Sequence, residues 1–226
     1  MLPPRQLTLP RGLSLIELLA VVATISVLAA LLFPAINRVT SRANQAVAAS
    51  DLRQIHLAVG HFANDNDGWL PGPGPSAAAS GFAKNDLKFA RYVAPYLMSV
   101  DFSSAPSTQQ FRLPQLEPRE YYRQKVKPRD VRAVAYRIST IDFTDPDFKY
   151  PFGDSDATPR INPKKMATVP EPARNKMLWD LDQKNLQGNP GWKSEVPKEP
   201  LYGNSRLALY WDGHIDYEPV EAVTAP

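Results

Sequence analysis

The sequence contains no cysteine and only three histidines among its 226 residues. Without cysteine, disulfides, thiolate metal sites and cysteine nucleophiles are all excluded. His56, His61 and His214 do not stand at zinc-binding spacings, and no serine lies in a nucleophile-elbow sequence. A glycine-rich phosphate loop is also absent. The pattern therefore predicts a protein that is not an enzyme and has no cofactor.

A strong excess of one charge is also missing. Lys and Arg total 26 against 23 Asp and Glu, which gives a formal net charge of +3. The basic residues do not form a run of five or more interleaved with aromatic residues, as a surface that follows phosphates would require. We expect no nucleic-acid partner.

Proline is abundant instead, with 23 residues that concentrate between Pro71 and Pro200. Proline interrupts long helices and central strands, because it lacks a backbone N–H. This part of the chain is therefore expected to consist of short elements joined by many loops.

One long apolar run stands near the start of the chain. The 19 residues Leu18 to Ile36 carry no charge and include only two hydroxyl side chains, so the run is long enough to span a bilayer. The polar stretch Met1 to Gly12 precedes it. An ordinary secretory signal has its cleavage site after the apolar region, whereas here the polar leader and its glycine come first.

The junction from Arg11 to Glu17 reads RGLSLIE and closely resembles the processing motif of type IV prepilins and type II secretion pseudopilins. The resemblance implies that a prepilin peptidase/N-methyltransferase cuts between Gly12 and Leu13 and methylates the new amine of Leu13. Leu13 stands where the family usually has Phe, and Ser14 stands where Thr is commoner.

Glu17 is the single carboxylate at the start of the apolar segment. A charge inside a membrane helix is costly and calls for a partner. The resemblance implies that Glu17 pairs with the N-terminal amine of a neighbouring subunit during assembly. The alternative is that Glu17 only caps the positive end of its own helix.

Charge alone does not decide the orientation in the membrane, since Arg5 and Arg11 on one side face Arg38 and Arg42 on the other. The resemblance implies a single-pass protein of the bacterial inner membrane. Its N-terminus would be cytoplasmic, and its C-terminal domain would lie in the periplasm or on the cell surface. Like or related pilin subunits would be its partners.

Beyond the membrane, apolar residues from Val39 to Phe62 recur at spacings of three and four, which predicts an amphipathic helix that continues the anchor. The cluster Asn64 to Gly68 should end it. The expected organisation is a leader at 1–12, a transmembrane helix at 13–36, an amphipathic helix at 37–66 and an outer domain at 67–226.

In the outer domain, Pro71 to Gly81 has the composition of a loop or tether. An apolar stripe from Leu87 to Leu97 predicts a short helix with Asp86 as a cap. The segment from Pro106 to Pro128 lacks periodicity and is expected to be mostly loop.

Strand patterns follow at Val131 to Phe143, Lys176 to Leu181 and Arg206 to Tyr217. The last contains Asp212-Gly213, which favours a hairpin with a two-residue turn. The fold class expected is therefore α+β, with a long N-terminal helix packed on a small antiparallel sheet with many loops.

The segment Ser50 to Gly72 and the terminal Asp-Gly turn are similar to a broad pilin-like family of envelope proteins, although Tyr202 stands where that family has a histidine. Asp180 and Asp182, before the loop Gly188 to Gly191, loosely resemble the calcium-binding loop of major pseudopilins. Calcium at these residues is one interpretation, and solvated loop carboxylates are the other.

Two functions remain open. The chain is either a pilin-like structural subunit, in a type IV pilus, a type II secretion pseudopilus or alone in the envelope, or a membrane-tethered domain that binds a ligand or glycan. Glu17 discriminates between them, because only assembly depends on its charge.

Overall fold

The structure is a computed structural model that describes residues 14–75, 77–100, 102, 104–119, 121, 134–140, 143–186 and 193–220. The chain divides into two compact units between Arg42 and Ala43. The N-terminal unit is helical where it is described, and the C-terminal unit contains both sheets.

Helix α1 runs from Leu15 to Asp65, with Pro34 inside it. It ends where the turn-forming cluster predicted, because the backbone N–H of Gly68 donates to the carbonyl of Ala63 at 2.8 Å. Gly68 has a φ of +83°, the left-handed conformation that closes many helices and favours glycine.

α1 buries one apolar face in its later part, whereas Val39, near the start of the amphipathic helix predicted over 37–66, is 67% exposed. Leu52, Ile55 and Val59 recur at three and four and are fully buried. They pack in one core with Leu178 and Leu209 of the sheet. The apolar spacing of this half therefore reflects burial against the outer domain.

The outer domain is built on an antiparallel sheet, which confirms the α+β class. The strands in the described part of the chain are β1 Ala77–Ala79, β2 Gly81–Ala83, β3 Gln110–Arg112, β4 Val134–Ile138, β5 Lys176–Asp180, β6 Ser205–Tyr210 and β7 Ile215–Pro219. Five of them pair in the order β1-β4-β5-β6-β7, and β2 pairs with β3 in a separate two-stranded sheet. A short helix, α2, spans Phe89–Leu97.

The predicted C-terminal hairpin is present as β6 and β7, but its turn is longer than expected. β6 ends at Tyr210 and β7 begins at Ile215, so four residues connect the strands, and the backbone N–H of Tyr210 donates to the carbonyl of His214 at 3.0 Å. Gly213 has a φ of +90°, and a Cβ on it would lie 2.9 Å from the His56 ring. The turn thus lies against α1, and a third loop residue with positive φ is a common hairpin solution.

Two further expectations from sequence were wrong. The segment Pro71 to Gly81 is not only a tether, because β1 within it pairs with β4 at the edge of the sheet. The segment Pro106–Pro128, expected to be mostly loop, includes the three-residue strand β3 in its described part, while 120 and 122–128 lie outside the described residues. Asp86 does not cap α2; its carboxylate accepts a hydrogen bond from the backbone of Ala83 at 2.9 Å, and the N-cap is Lys88.

Candidate functional site

The start of α1 carries the predicted assembly residue. Glu17 lies in the first helical turn, and its Oε2 accepts a hydrogen bond from the backbone N–H of Ser14 at 2.9 Å. The Ser14 hydroxyl in turn lies 3.4 Å from the backbone nitrogen of Ile16. This arrangement is close to a capping box, with Ser and Glu three residues apart. The predicted cleavage residues, Gly12 and Leu13, lie outside the described residues.

The other carboxylate oxygen of Glu17, Oε1, has no hydrogen-bond partner among the described residues. Glu17 also forms no ion pair within that part of the chain. Helix capping therefore uses Oε2 of Glu17, and Oε1 can still accept a hydrogen bond from a donor outside the described residues.

The helix that follows Glu17 is long and apolar enough to cross a membrane. Its large apolar side chains are exposed, and Leu28 is 66% accessible. The hydroxyls of Thr24 and Ser26 both donate at 2.8 Å to carbonyls of the same helix. Its polar side chains therefore need no water, as a lipid environment requires.

Asp182 is buried, contrary to the interpretation as a solvated loop carboxylate. Its Oδ2 accepts a hydrogen bond from Nε of Arg206 at 2.7 Å, and its Oδ1 accepts one from Nη2 of Arg206 at 3.2 Å. The backbone N–H of Lys184 also donates to it, at 2.8 Å. Arginine and backbone donors thus surround the carboxylate, which makes it a structural ion pair.

Asp180, at the end of β5, is also buried, with 1% of its surface exposed. Its Oδ2 accepts the backbone N–H of Leu207 at 2.7 Å, while Oδ1 has no hydrogen-bond partner among the described residues. Burial, with a smaller contribution from Asp182, raises the pKa of Asp180 to about 8. Asp180 therefore holds a proton near neutral pH.

The described residues contain no group of three or more His, Asp or Glu side chains that could hold a metal ion. Asp182 is committed to Arg206, and Asp180 favours its neutral form. The remaining part of the suggested calcium loop, Gly188 to Gly191, lies outside the described residues. No calcium ligand set is thus formed in the described part of the chain.

His56 and His61 stand five residues apart on α1 and have different surroundings. His61 is exposed and stacks on Tyr96 with ring centroids 6.3 Å apart. His56 is half-buried, and its Nε2 lies 3.1 Å from the carbonyl of Trp211. His56 therefore connects α1 to the hairpin turn.

A cleft of about 300 Å³ opens between the end of α1, β2 and α2. Its lining includes Phe62, Tyr92 and Tyr96 together with the basic side chains of Lys84 and Arg91. We call this the aromatic cleft. Sequence reasoning missed it because its residues come from separate segments, although two tyrosines and an arginine in one nine-residue helix were a signal.

A second group of aromatic and basic residues lies elsewhere on the outer domain. Lys164 Nζ lies 4.2 Å from the ring centroid of Phe148, and Lys165 Nζ lies 5.4 Å from that of Trp69. The surface beside them is shallow and open. Both contacts have the distance of a cation–π interaction.

No protein-family model, curated protein or solved structure matches this chain.

Proposed function

We propose that this protein is a pilin-like subunit of the bacterial envelope. A prepilin peptidase would cut it after Gly12, and α1 would hold it in the inner membrane with the outer domain in the periplasm or on the cell surface. It would assemble there with like or related subunits.

The observation that carries the proposal is the order of features at the N-terminus. A polar leader with Gly12 comes first, then a carboxylate at Glu17, and then the apolar run. A secretory signal has its cut after the apolar run, so cleavage there would remove the anchor. In the proposed order the anchor stays on the mature protein.

The exposed apolar surface before Arg42 supports a membrane location. Side chains such as Leu19, Leu28 and Phe33 have no protein core to cover them in the described chain. Transfer of each such side chain from water to an apolar medium is favourable by roughly 1.5 to 3 kcal/mol. A bilayer and neighbouring anchor helices supply that medium.

Glu17 supports assembly through its free oxygen. The carboxylate caps its own helix with Oε2, which leaves Oε1 open to a donor from another subunit. In the proposed assembly that donor is the positive amine that cleavage creates on Leu13 of a neighbour. An ion pair of this kind offsets the cost of keeping a carboxylate at the edge of the membrane.

Mass spectrometry of the mature protein tests the processing step. We expect an N-terminus at Leu13 that carries one added methyl group when the chain is made in a cell with a prepilin peptidase. Gly12→Val is the matched control and should leave the full-length chain. An N-terminus at any other residue would overturn the proposal.

Replacement of Glu17 tests assembly separately from capping. Glu17→Gln keeps an oxygen that can accept the Ser14 N–H but removes the charge, whereas Glu17→Ala removes both. A photo-crosslinking amino acid at Leu28 reports neighbouring subunits. We expect the amount of crosslinked product to fall at least about tenfold in both variants, because loss of the Glu17 charge would leave the neighbour's amine unpaired in an apolar medium, at a cost of about 3 to 5 kcal/mol.

The control for charge removal is Glu171→Gln, which removes an exposed carboxylate of the outer domain and should leave crosslinking unchanged. Normal crosslinking in Glu17→Gln together with loss in Glu17→Ala would mean that capping is the only role of Glu17. The proposal of assembly through the carboxylate would then be wrong.

The aromatic cleft favours a second candidate function, a membrane-tethered domain that binds a ligand without forming a filament. Such a protein should keep its ligand affinity and its membrane location in Glu17→Gln, and it should give no crosslinked neighbour even as the wild type. The same crosslinking experiment therefore separates the two candidates.

A further inference from the structure

The aromatic cleft has walls that are held in place by the fold. Phe62 of α1 makes edge-to-face contacts with Tyr92 and Tyr96, with ring centroids 6.1 and 6.2 Å apart. The Tyr96 hydroxyl donates to Asp65 at 2.9 Å, which fixes α2 to the end of α1. The rings are therefore positioned before any ligand arrives, and such preorganisation lowers the entropy cost of binding.

The basic side chains of the cleft are oriented as well. Arg91 donates from Nε to the carbonyl of Lys84 at 2.6 Å, and its Cζ lies 5.3 Å from the ring centroid of Tyr92. Lys84 Nζ donates to the carbonyl of Ala105 at 3.2 Å. The terminal nitrogens of Arg91 donate to no described residue. The edge of the guanidinium group that carries them is therefore available to bind a carboxylate with two hydrogen bonds.

Asp86 is close enough to Arg91 for an electrostatic attraction, but its direct ion pair is with Lys88, at 2.9 Å. Asp65 accepts a hydrogen bond from Tyr96. Among the described residues, Arg91 forms no ion pair within 4 Å. The described lining of the cleft includes Lys84 and Arg91 and no carboxylate, so positive charge lies beside the aromatic rings.

We propose that the aromatic cleft binds an acidic saccharide, a sugar chain that carries carboxylate groups. The apolar C–H face of a pyranose ring suits aromatic side chains, and a sugar carboxylate suits the planar guanidinium of Arg91. The volume of about 300 Å³ is at the lower end of ligand pockets and suits one or two sugar units. This inference is independent of whether the chain assembles.

Calorimetric titration of the full chain in detergent with uronate trisaccharides tests the inference. The probes are tri-galacturonate, tri-mannuronate and tri-guluronate, with fully methyl-esterified tri-galacturonate as the uncharged match. We expect at least one acidic trisaccharide to bind, and the ester to bind at least about tenfold more weakly, because a charge-assisted hydrogen bond is lost.

Arg91→Gln should weaken acidic binding at least about tenfold, because it removes the charge while leaving a side-chain donor. Lys165→Gln is the matched control, since it also removes one positive charge but lies in the second aromatic and basic group, beside Trp69. The affinity of this variant for the acidic trisaccharides should equal that of the wild type. Circular dichroism checks that both variants fold.

Three results would overturn the inference. The first is no binding of any acidic trisaccharide at millimolar concentration. The second is equal binding of the acid and its ester, which would exclude the role of charge. The third is an equal loss of affinity in Arg91→Gln and Lys165→Gln, which would indicate that the saccharide is attracted to the net charge of the protein and not to the aromatic cleft.

Discussion

The two parts of α1 place similar side chains in opposite surroundings. Leu28, before Arg42, is 66% exposed, whereas Leu52, after it, is fully buried. Both stand in one helix, which continues through Pro34. The contrast shows that the helix continues across the boundary while the surroundings of its apolar side chains change.

Polar groups differ in the same way. In the first part, the hydroxyls of Thr24 and Ser26 donate hydrogen bonds to backbone carbonyls of their own helix. Glu17 there accepts a hydrogen bond only from a backbone N–H among the described residues. In the outer domain, buried Asp182 has an arginine from another strand. The outer domain thus pairs the buried charge of Asp182 within the chain, while a cation for Glu17 would come from a neighbour only in the proposed assembly.

The largest expected effect comes from breaking the internal ion pair. Arg206→Met should lower the free energy of unfolding of the outer domain by about 3 to 5 kcal/mol, because it leaves Asp182 buried without a cation. Chemical denaturation followed by near-UV circular dichroism measures it. Arg174→Met, which removes an exposed ion pair with Glu171, is the control and should cost less than about 1 kcal/mol.

A double variant, Arg206→Met with Asp182→Asn, should recover part of the lost stability. If the single and double variants were equally unstable, the cost would come from lost packing of the Arg206 side chain and not from the unpaired carboxylate.

The second prediction compares two leucines directly. Leu52→Ala should destabilise the outer domain by about 2 to 5 kcal/mol, because it leaves a cavity in the core. Leu28→Ala should leave that unfolding transition unchanged, since Leu28 is 66% exposed. Both are measured by denaturation in the same detergent. Equal destabilisation would contradict the separation of the two parts of α1.

The third prediction concerns pH and the outer domain alone. The unfolded carboxyl of Asp180 titrates near about 3.9, while burial raises its folded pKa to about 8. The folded form therefore binds more protons over this range, and stability falls as pH rises from about 4 to 8. The slope is at most about 1.4 kcal/mol per pH unit, or about 3 kcal/mol between pH 5 and pH 7.

Asp180→Asn should remove this decline while keeping an oxygen for the Leu207 N–H. At Asp212, burial acts to raise the pKa, but hydrogen bonds from His214 outweigh it and lower the pKa. Asp212→Asn should therefore leave the decline between pH 5 and pH 7 intact. Denaturation curves at several pH values measure both, and an unchanged slope in Asp180→Asn would contradict the assignment.

The sequence predicted those secondary-structure elements that are determined by residues close together in the chain. The spacing of Leu52, Ile55 and Val59 predicted the amphipathic half of α1, and the cluster before Gly68 predicted its end. Alternation and the Asp-Gly dipeptide predicted the C-terminal hairpin. In each case the residues that determine the element are neighbours in the chain.

Features that depend on distant residues were not predictable in this way. β1 is a run of alanines with little strand propensity, and it becomes a strand by pairing with β4. Asp180 and Asp182 look like loop carboxylates until the fold covers them. The aromatic cleft joins α1, β2 and α2, so the two tyrosines and the arginine of α2 alone could not define it.

The smallest expected effect returns to the outer-domain half of α1. Gly60 lies inside the helix, and a Cβ on it would contact nothing within 4 Å. Gly60→Ala should therefore stabilise the isolated chain by about 0.5 to 1 kcal/mol, because glycine costs backbone entropy in a helix. Thermal or chemical denaturation of the solubilised chain measures it. Gly153→Ala is the control expected to destabilise, because its Cβ would lie only 2.5 Å from the carbonyl oxygen of Ile161.

The same variant also tests where subunits meet. If Gly60→Ala stabilises the isolated chain and yet reduces crosslinking at Leu28, a neighbouring subunit must approach the helix at Gly60. The outer-domain half of α1 would then also contribute to assembly.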